Sequence, residues 1–123
     1  MTISEKQLSK IRKNIKEVID DTTAHINEWD ANTLDDRLVK LIGYIEPLME
    51  YRDDIQFKLN EFQDLKTGEG KPVNATDVMV RANPLFQEIM ICGAQLKIAD
   101  YLIRTMQNRQ YLMAVRIKQG IDG

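Results

Sequence analysis

Two stretches of the chain carry apolar residues at alternating spacings of four and three. The first is Leu34, Leu38, Leu41, Ile45, Leu48, Arg52, Ile55, Leu59, Phe62; the second is Leu85, Ile89, Cys92, Leu96, Ala99, Ile103, Met106, Gln110, Met113, Ile117. A stripe repeating every 3.5 residues on average keeps one narrow face of a helix against a partner helix along its length. A third, shorter stripe runs through Leu8, Ile11, Ile15, Val18 and Thr22, with His25 and Trp29 prolonging it. No period-two run that would make a strand is present, no repeat of domain-building length appears, and nothing is low-complexity. The pattern therefore predicts an all-α chain whose long antiparallel helices form a bundle or a coiled-coil-like oligomer.

Helix ends follow from the polar breaks. Ser4 with Gln7 three residues on is a capping box, which starts a first helix over about residues 4–28. In Asp30-Ala31-Asn32-Thr33, Thr33 is the expected N-cap of a second helix over about 34–66, with Asp35 and Asp36 in its first turn, where negative charge suits the helix dipole. Pro47 lies inside this helix and withholds a backbone bond from Gly43; because the apolar phase continues across it, one kinked helix is expected rather than two. A turn over 67–73 is marked by Gly68-Glu69-Gly70-Lys71-Pro72. Beyond it, Asn74 or Thr76 is positioned to cap a short helical turn, and Asn83-Pro84 supplies an N-cap and a first-position proline for a last helix over about 84–118 that stops at Gly120. A single helix from Thr76 bent at Pro84 is the open alternative.

From Leu85 to Ile117 the second stripe is roughly 50 Å long at 1.5 Å per residue, against a radius of gyration of about 14 Å for a compact globule of this chain length. One all-helical domain, 1–123, that self-associates is the expectation. The last helix is also two-faced, since Ile91, Ala94, Ile98, Tyr101, Leu102, Leu112 and Val115 form a second apolar strip. Such a helix is central to a bundle or shared between subunits. Each long stripe has one polar member, Arg52 or Gln110, placed among residues such as Leu96 and Ile103 that set the register of pairing; a polar residue there fixes register at a cost in stability. For Arg52 a second reading stays open, that its stem packs while its head reaches water at the Pro47 bend.

Charge is nearly balanced, with 17 Lys+Arg against 19 Asp+Glu and a net charge of −2, so the field of the whole chain makes no case for nucleic acid. Its distribution does more. Both ends are basic and the middle acidic: residues 97–123 carry Lys97, Arg104, Arg109, Arg116 and Lys118 against Asp100 and Asp122. Ordinary solvated faces explain this, and so does a basic surface made where the termini meet. In the last helix Arg104, Arg109, Arg116 and Lys118, with Tyr111 among them, are the candidate nucleic-acid-binding set, cations for phosphates and a ring for a base.

Catalytic chemistry has little to draw on. His25 is the only histidine, which excludes paired-histidine metal sites, and half-buried packing beside Trp29 is its expected role. Glu46, Glu50, Asp53 and Asp54 lie within two turns but without the Glu-x-x-His pattern of helical di-metal sites. Gly68-Glu69-Gly70-Lys71 lacks the spacing of a phosphate loop, and Asn74-Ala75-Thr76 is a glycosylation triplet only in a secreted chain. No metal, cofactor or enzymatic activity is expected. The one cysteine, Cys92, excludes an intrachain disulfide, and the absence of a signal-like or membrane-length apolar run points to the cytoplasm and to no membrane partner.

The order of a long helix, the Gly68-Glu69-Gly70 turn and a terminal helix running Leu96-Lys97-Ile98-Ala99-Asp100-Tyr101-Leu102-Ile103-Arg104 and Asn108-Arg109-Gln110-Tyr111-Leu112 resembles the UvsY-type recombination mediators of tailed phages. The resemblance covers about the last 75 residues. It implies a phage-encoded, ring-forming helical protein in the host cytoplasm that binds single-stranded DNA and loads a recombinase. In this chain the middle helix departs from that pattern, with Arg52 and Lys58 its only basic residues between Glu46 and Asp64. The function expected from residues and resemblance together is a non-enzymatic, self-associating accessory factor of DNA metabolism. The alternative is a small helical protein-binding module, a structural component or inhibitor of a larger machine, that binds no nucleic acid.

Overall fold

The structure, a computed structural model, describes residues 3–120, and among these residues it contains helices and no strand. It is an all-α bundle of four helices, α1 (Glu5–His25), α2 (Ala31–Gly68), α3 (Val73–Ala82) and α4 (Pro84–Lys118), with a 3-10 turn (Ile26–Glu28) after α1.

The capping box forms as the sequence predicts: the Gln7 N–H donates to Ser4 Oγ at 3.1 Å, and the Ser4 N–H donates to Gln7 Oε1 at 3.0 Å. From there α1 buries Leu8, Ile15, Val18 and Thr22, the Thr22 hydroxyl donating to the Val18 carbonyl. His25 departs from expectation. It is exposed at the end of α1 with Nδ1 3.3 Å from Glu28 Oε2, because the 3-10 turn redirects the chain before Trp29, whose ring instead takes the Arg37 guanidinium at 5.7 Å.

Asp30, not Thr33, caps α2. Its extended backbone lets the carboxylate accept the Thr33 N–H at 2.8 Å, which places Thr33 in the first helical turn and Asp35 and Asp36 beyond it. That bond holds the Asp30 carboxyl below its ordinary pKa. α2 is one helix across Pro47, and the stripe survives the proline: Leu34, Leu38, Leu41, Leu48, Ile55 and Leu59 are buried, while Ile45, Arg52 and Phe62 are half-buried.

Gly70, at φ +78°, closes the turn after α2, a conformation that glycine adopts without a steric cost. Pro72 then takes the N-cap position of α3 without a side-chain cap. Asn74 and Thr76 fall inside this helix, so neither caps it; Thr76 turns inward and is buried. At Asn83 the backbone is extended (ψ 132°), as a residue before proline prefers, so α3 and α4 are separate helices. The Asn83 side chain accepts from the Leu85 N–H at 2.9 Å.

Cross-links between helices give their directions. Gln110 reaches Asp35, and Leu96, Lys97 and Asp100 share a cleft with Ile45, Met49 and Arg52, so α2 and α4 are antiparallel. Arg12 reaches Gln95 and Arg109 reaches Asn27, so α1 runs parallel to α4. The core is the meeting of the three stripes, with Cys92, Leu96, Ala99, Leu102 and Met106 of α4 buried against α1 and α2. Ile117, the last member of the second stripe, is exposed, because α4 outruns its partners there. No described helix is long and apolar enough to cross a membrane.

Candidate functional site

α4 presents two different surfaces to solvent. Arg104, Tyr111 and Lys118 are spaced by seven residues, which on an α-helix returns to the same face within about 20°. All three are exposed, although Arg104 Nε sits 3.1 Å from Asp100 Oδ2 one turn away. Arg109 and Arg116, also seven apart, lie well round the helix from that row. Arg116 is exposed, but Arg109 is half-buried and donates to the Asn27 carbonyl at 3.0 Å, tying α4 to the 3-10 turn. The five residues expected to form one basic site are thus divided between two faces, and one of them belongs to the fold. Helical geometry makes the division: residues five apart, such as 104 and 109, differ by about 140°.

The second surface is apolar. Ile91, Ala94, Ile98, Tyr101 and Leu112 are exposed, Tyr101 at 70% and Ile98 at 52%. Of the strip expected from sequence only Leu102 is buried and Val115 half-buried. Among the described residues no element covers it: α1 packs beside it and α2 lies on the opposite flank of α4.

Leu96 and Ile103 pack between α2 and α4, buried and half-buried, and both polar members of the stripes find company at that joint. The Gln110 amide lies 3.4 Å from Asp35 Oδ1. Arg52 lies 3.4 Å from Asp53 Oδ1, in an open cleft whose lining includes Met49, Gly93 and Lys97.

Sequence reasoning missed a polar cluster where α1, α2 and α4 meet. Arg12 of α1 donates to Glu88, to Gln95 at 3.1 Å and to the Cys92 sulfur at 3.3 Å, and Tyr51 of α2 lies near enough to Glu88 to feel its charge. Burial pushes the Cys92 thiol above its ordinary pKa even though Arg12 pulls the other way, and burial followed by the Glu88 charge pushes Tyr51 up. A thiol held in its protonated form is a poor nucleophile, so the cluster joins helices rather than offering a reactive group. Its one sequence signal was Glu88, Cys92 and Gln95 at spacings of four and three on the face of α4 that carries the apolar stripe.

Among the described residues no group of three or more His, Cys, Asp and Glu side chains converges where a metal ion would sit. No family model matches the chain, and no curated protein or solved structure shows a significant match to it.

Proposed function

We propose that this chain is a non-enzymatic helix-docking module, acting by laying the apolar strip of α4 against a helix outside its own fold. The single observation that carries this reading is the exposure of Ile91, Ile98, Tyr101 and Leu112 in one line along a helix whose other face packs into the core through Cys92, Leu96, Ala99 and Met106. Full burial of such a side chain gains roughly 1.5–3 kcal/mol, so leaving four of them half-wet forgoes several kcal/mol that a docked helix recovers. A contiguous apolar line flanked by charge marks an interaction surface rather than scattered surface hydrophobes. Capture on the immobilised protein from the cell that makes it, run beside Ile98→Glu, tests the reading. The substitution removes the captured partner; an identical set captured by both proteins overturns docking through this strip.

A second reading, an accessory factor of DNA metabolism that holds single-stranded DNA, is favoured by the exposed row of Arg104, Tyr111 and Lys118. Cation, ring and cation on one face suit a backbone that passes phosphates along the helix while a base stacks on the ring. The overall acidic charge limits this to weak, strongly salt-dependent binding. Titration with a single-stranded oligonucleotide at about 50 mM salt, where phosphate contacts are least screened, decides it: micromolar binding that weakens as salt rises supports this reading, and no binding removes it.

A further inference from the structure

Resting on the docking reading, we infer that the helix covering the α4 strip is α4 of a second copy of this chain, laid antiparallel across a twofold axis near Tyr101. A twofold interface requires a surface that matches itself when reversed, and the strip does. With Ile91 of one copy set opposite Leu112 of the other, Ile98 falls opposite Thr105, the two Tyr101 side chains meet at the axis, and symmetry repeats each pairing on the other side. A parallel arrangement would instead set Arg116 against Arg116.

Charge favours the same partner. The strip carries no acidic side chain, and Arg116 is its exposed cation. α1 runs parallel to α4, with Arg12 level with Gln95 and Asn27 level with Arg109, so exposed Glu5 at the start of α1 stands at about the level of Gln87. In the antiparallel register that is the level reached by Arg116 of the second copy. Glu5 lies on the flank of α1 that faces α4, three residues from buried Leu8 and seven from Arg12. Each α4 therefore enters the groove beside the other copy's α1 with its cation approaching a carboxylate, twice per pair.

Sedimentation equilibrium and cysteine cross-linking test the arrangement. The expected mass at micromolar concentration is twice 14.3 kDa, falling to the single-chain mass in Ile98→Glu and in Leu112→Glu with helical circular dichroism retained; both positions are half-exposed in the single chain, so neither substitution burdens the fold. On mild oxidation Tyr101→Cys closes a disulfide with itself, and Ile91→Cys mixed with Leu112→Cys forms the mixed disulfide, while Leu112→Cys alone stays reduced. The inference is overturned by a mass of 14.3 kDa at every concentration, by an assembly of any number other than two, by dimers that survive both glutamate substitutions, or by Leu112→Cys linking to itself. A monomer that loses a captured cellular partner in Ile98→Glu overturns the second copy as occupant but leaves helix docking standing; a monomer whose captured set is unchanged removes both.

Discussion

Arg12 illustrates how much one residue does in a small bundle. Its guanidinium touches three side chains of α4, and both it and Glu88 are about one-quarter exposed. Removing one partner of such a pair leaves the other desolvated, which costs about 1–3 kcal/mol; Arg12→Ala lowers the urea midpoint accordingly, while Arg12→Met combined with Glu88→Met recovers most of the loss, as replacing a whole buried pair does. Single and double variants of equal stability would contradict this. Cys92 adds a pH dependence. Its folded pKa is raised, so its contribution is fully present below the unfolded value near 9.0 and is lost as pH rises above it, where the unfolded thiol ionises and the folded one does not. The stability advantage of the protein over Cys92→Ala is therefore smaller at pH 10 than at pH 7, measured by urea unfolding; an advantage unchanged with pH would contradict the assignment. Two of the three arginines of the expected basic site behave differently. Arg109→Ala lowers the melting temperature through the lost Asn27 bond and leaves the salt dependence of any DNA binding unchanged, whereas Arg104→Ala leaves stability alone and flattens that dependence by about one counterion.

At the scale of elements, what the residues disclosed and what they withheld divide along chain separation. The stripes on α2 and α4 and the capping box at Ser4 were legible because each is a pattern among residues a few positions apart, and burial of Leu34, Leu41, Leu48, Cys92, Ala99 and Met106 follows it. The cap of α2 was misplaced by three residues because Asp30 and Thr33 both carry a capping oxygen, and only the backbone angle at Asp30 decides between them. The Arg12 cluster was illegible because its members lie about 80 residues apart, and nothing in a one-dimensional pattern aligns α1 with α4. The candidate site was half-legible: the two-faced character of α4 was evident, but which strip lay inside depended on where α1 and α2 packed. Gly43 gives an element-scale prediction. It sits mid-helix in α2 with open space where a Cβ would be, so Gly43→Ala raises stability by about 0.5–1 kcal/mol through the lower entropy of the unfolded chain. A loss of stability in thermal unfolding would mean that the carbonyl left without a donor by Pro47 needs the glycine's freedom.

The whole molecule is three long helices, α1, α2 and α4, packed round one core, with the short α3 between the last two. α2 packs α1 and α4, α3 folds back near the end of α2, and α4 carries both a core face and an exposed apolar strip. Both readings of function depend on α4, but they use different faces of it, and the two tyrosines report on them separately: Tyr101 lies on the apolar strip and Tyr111 on the basic row, and in the isolated chain they are 70% and 65% exposed. Docking through the α4 strip is therefore tested most sharply by tyrosine nitration of the protein inside the cell that makes it, read by mass spectrometry against the urea-unfolded chain. With the strip docked, Tyr101 is protected and Tyr111 is modified nearly as fast as in the unfolded chain; equal modification of both rules docking through the strip out.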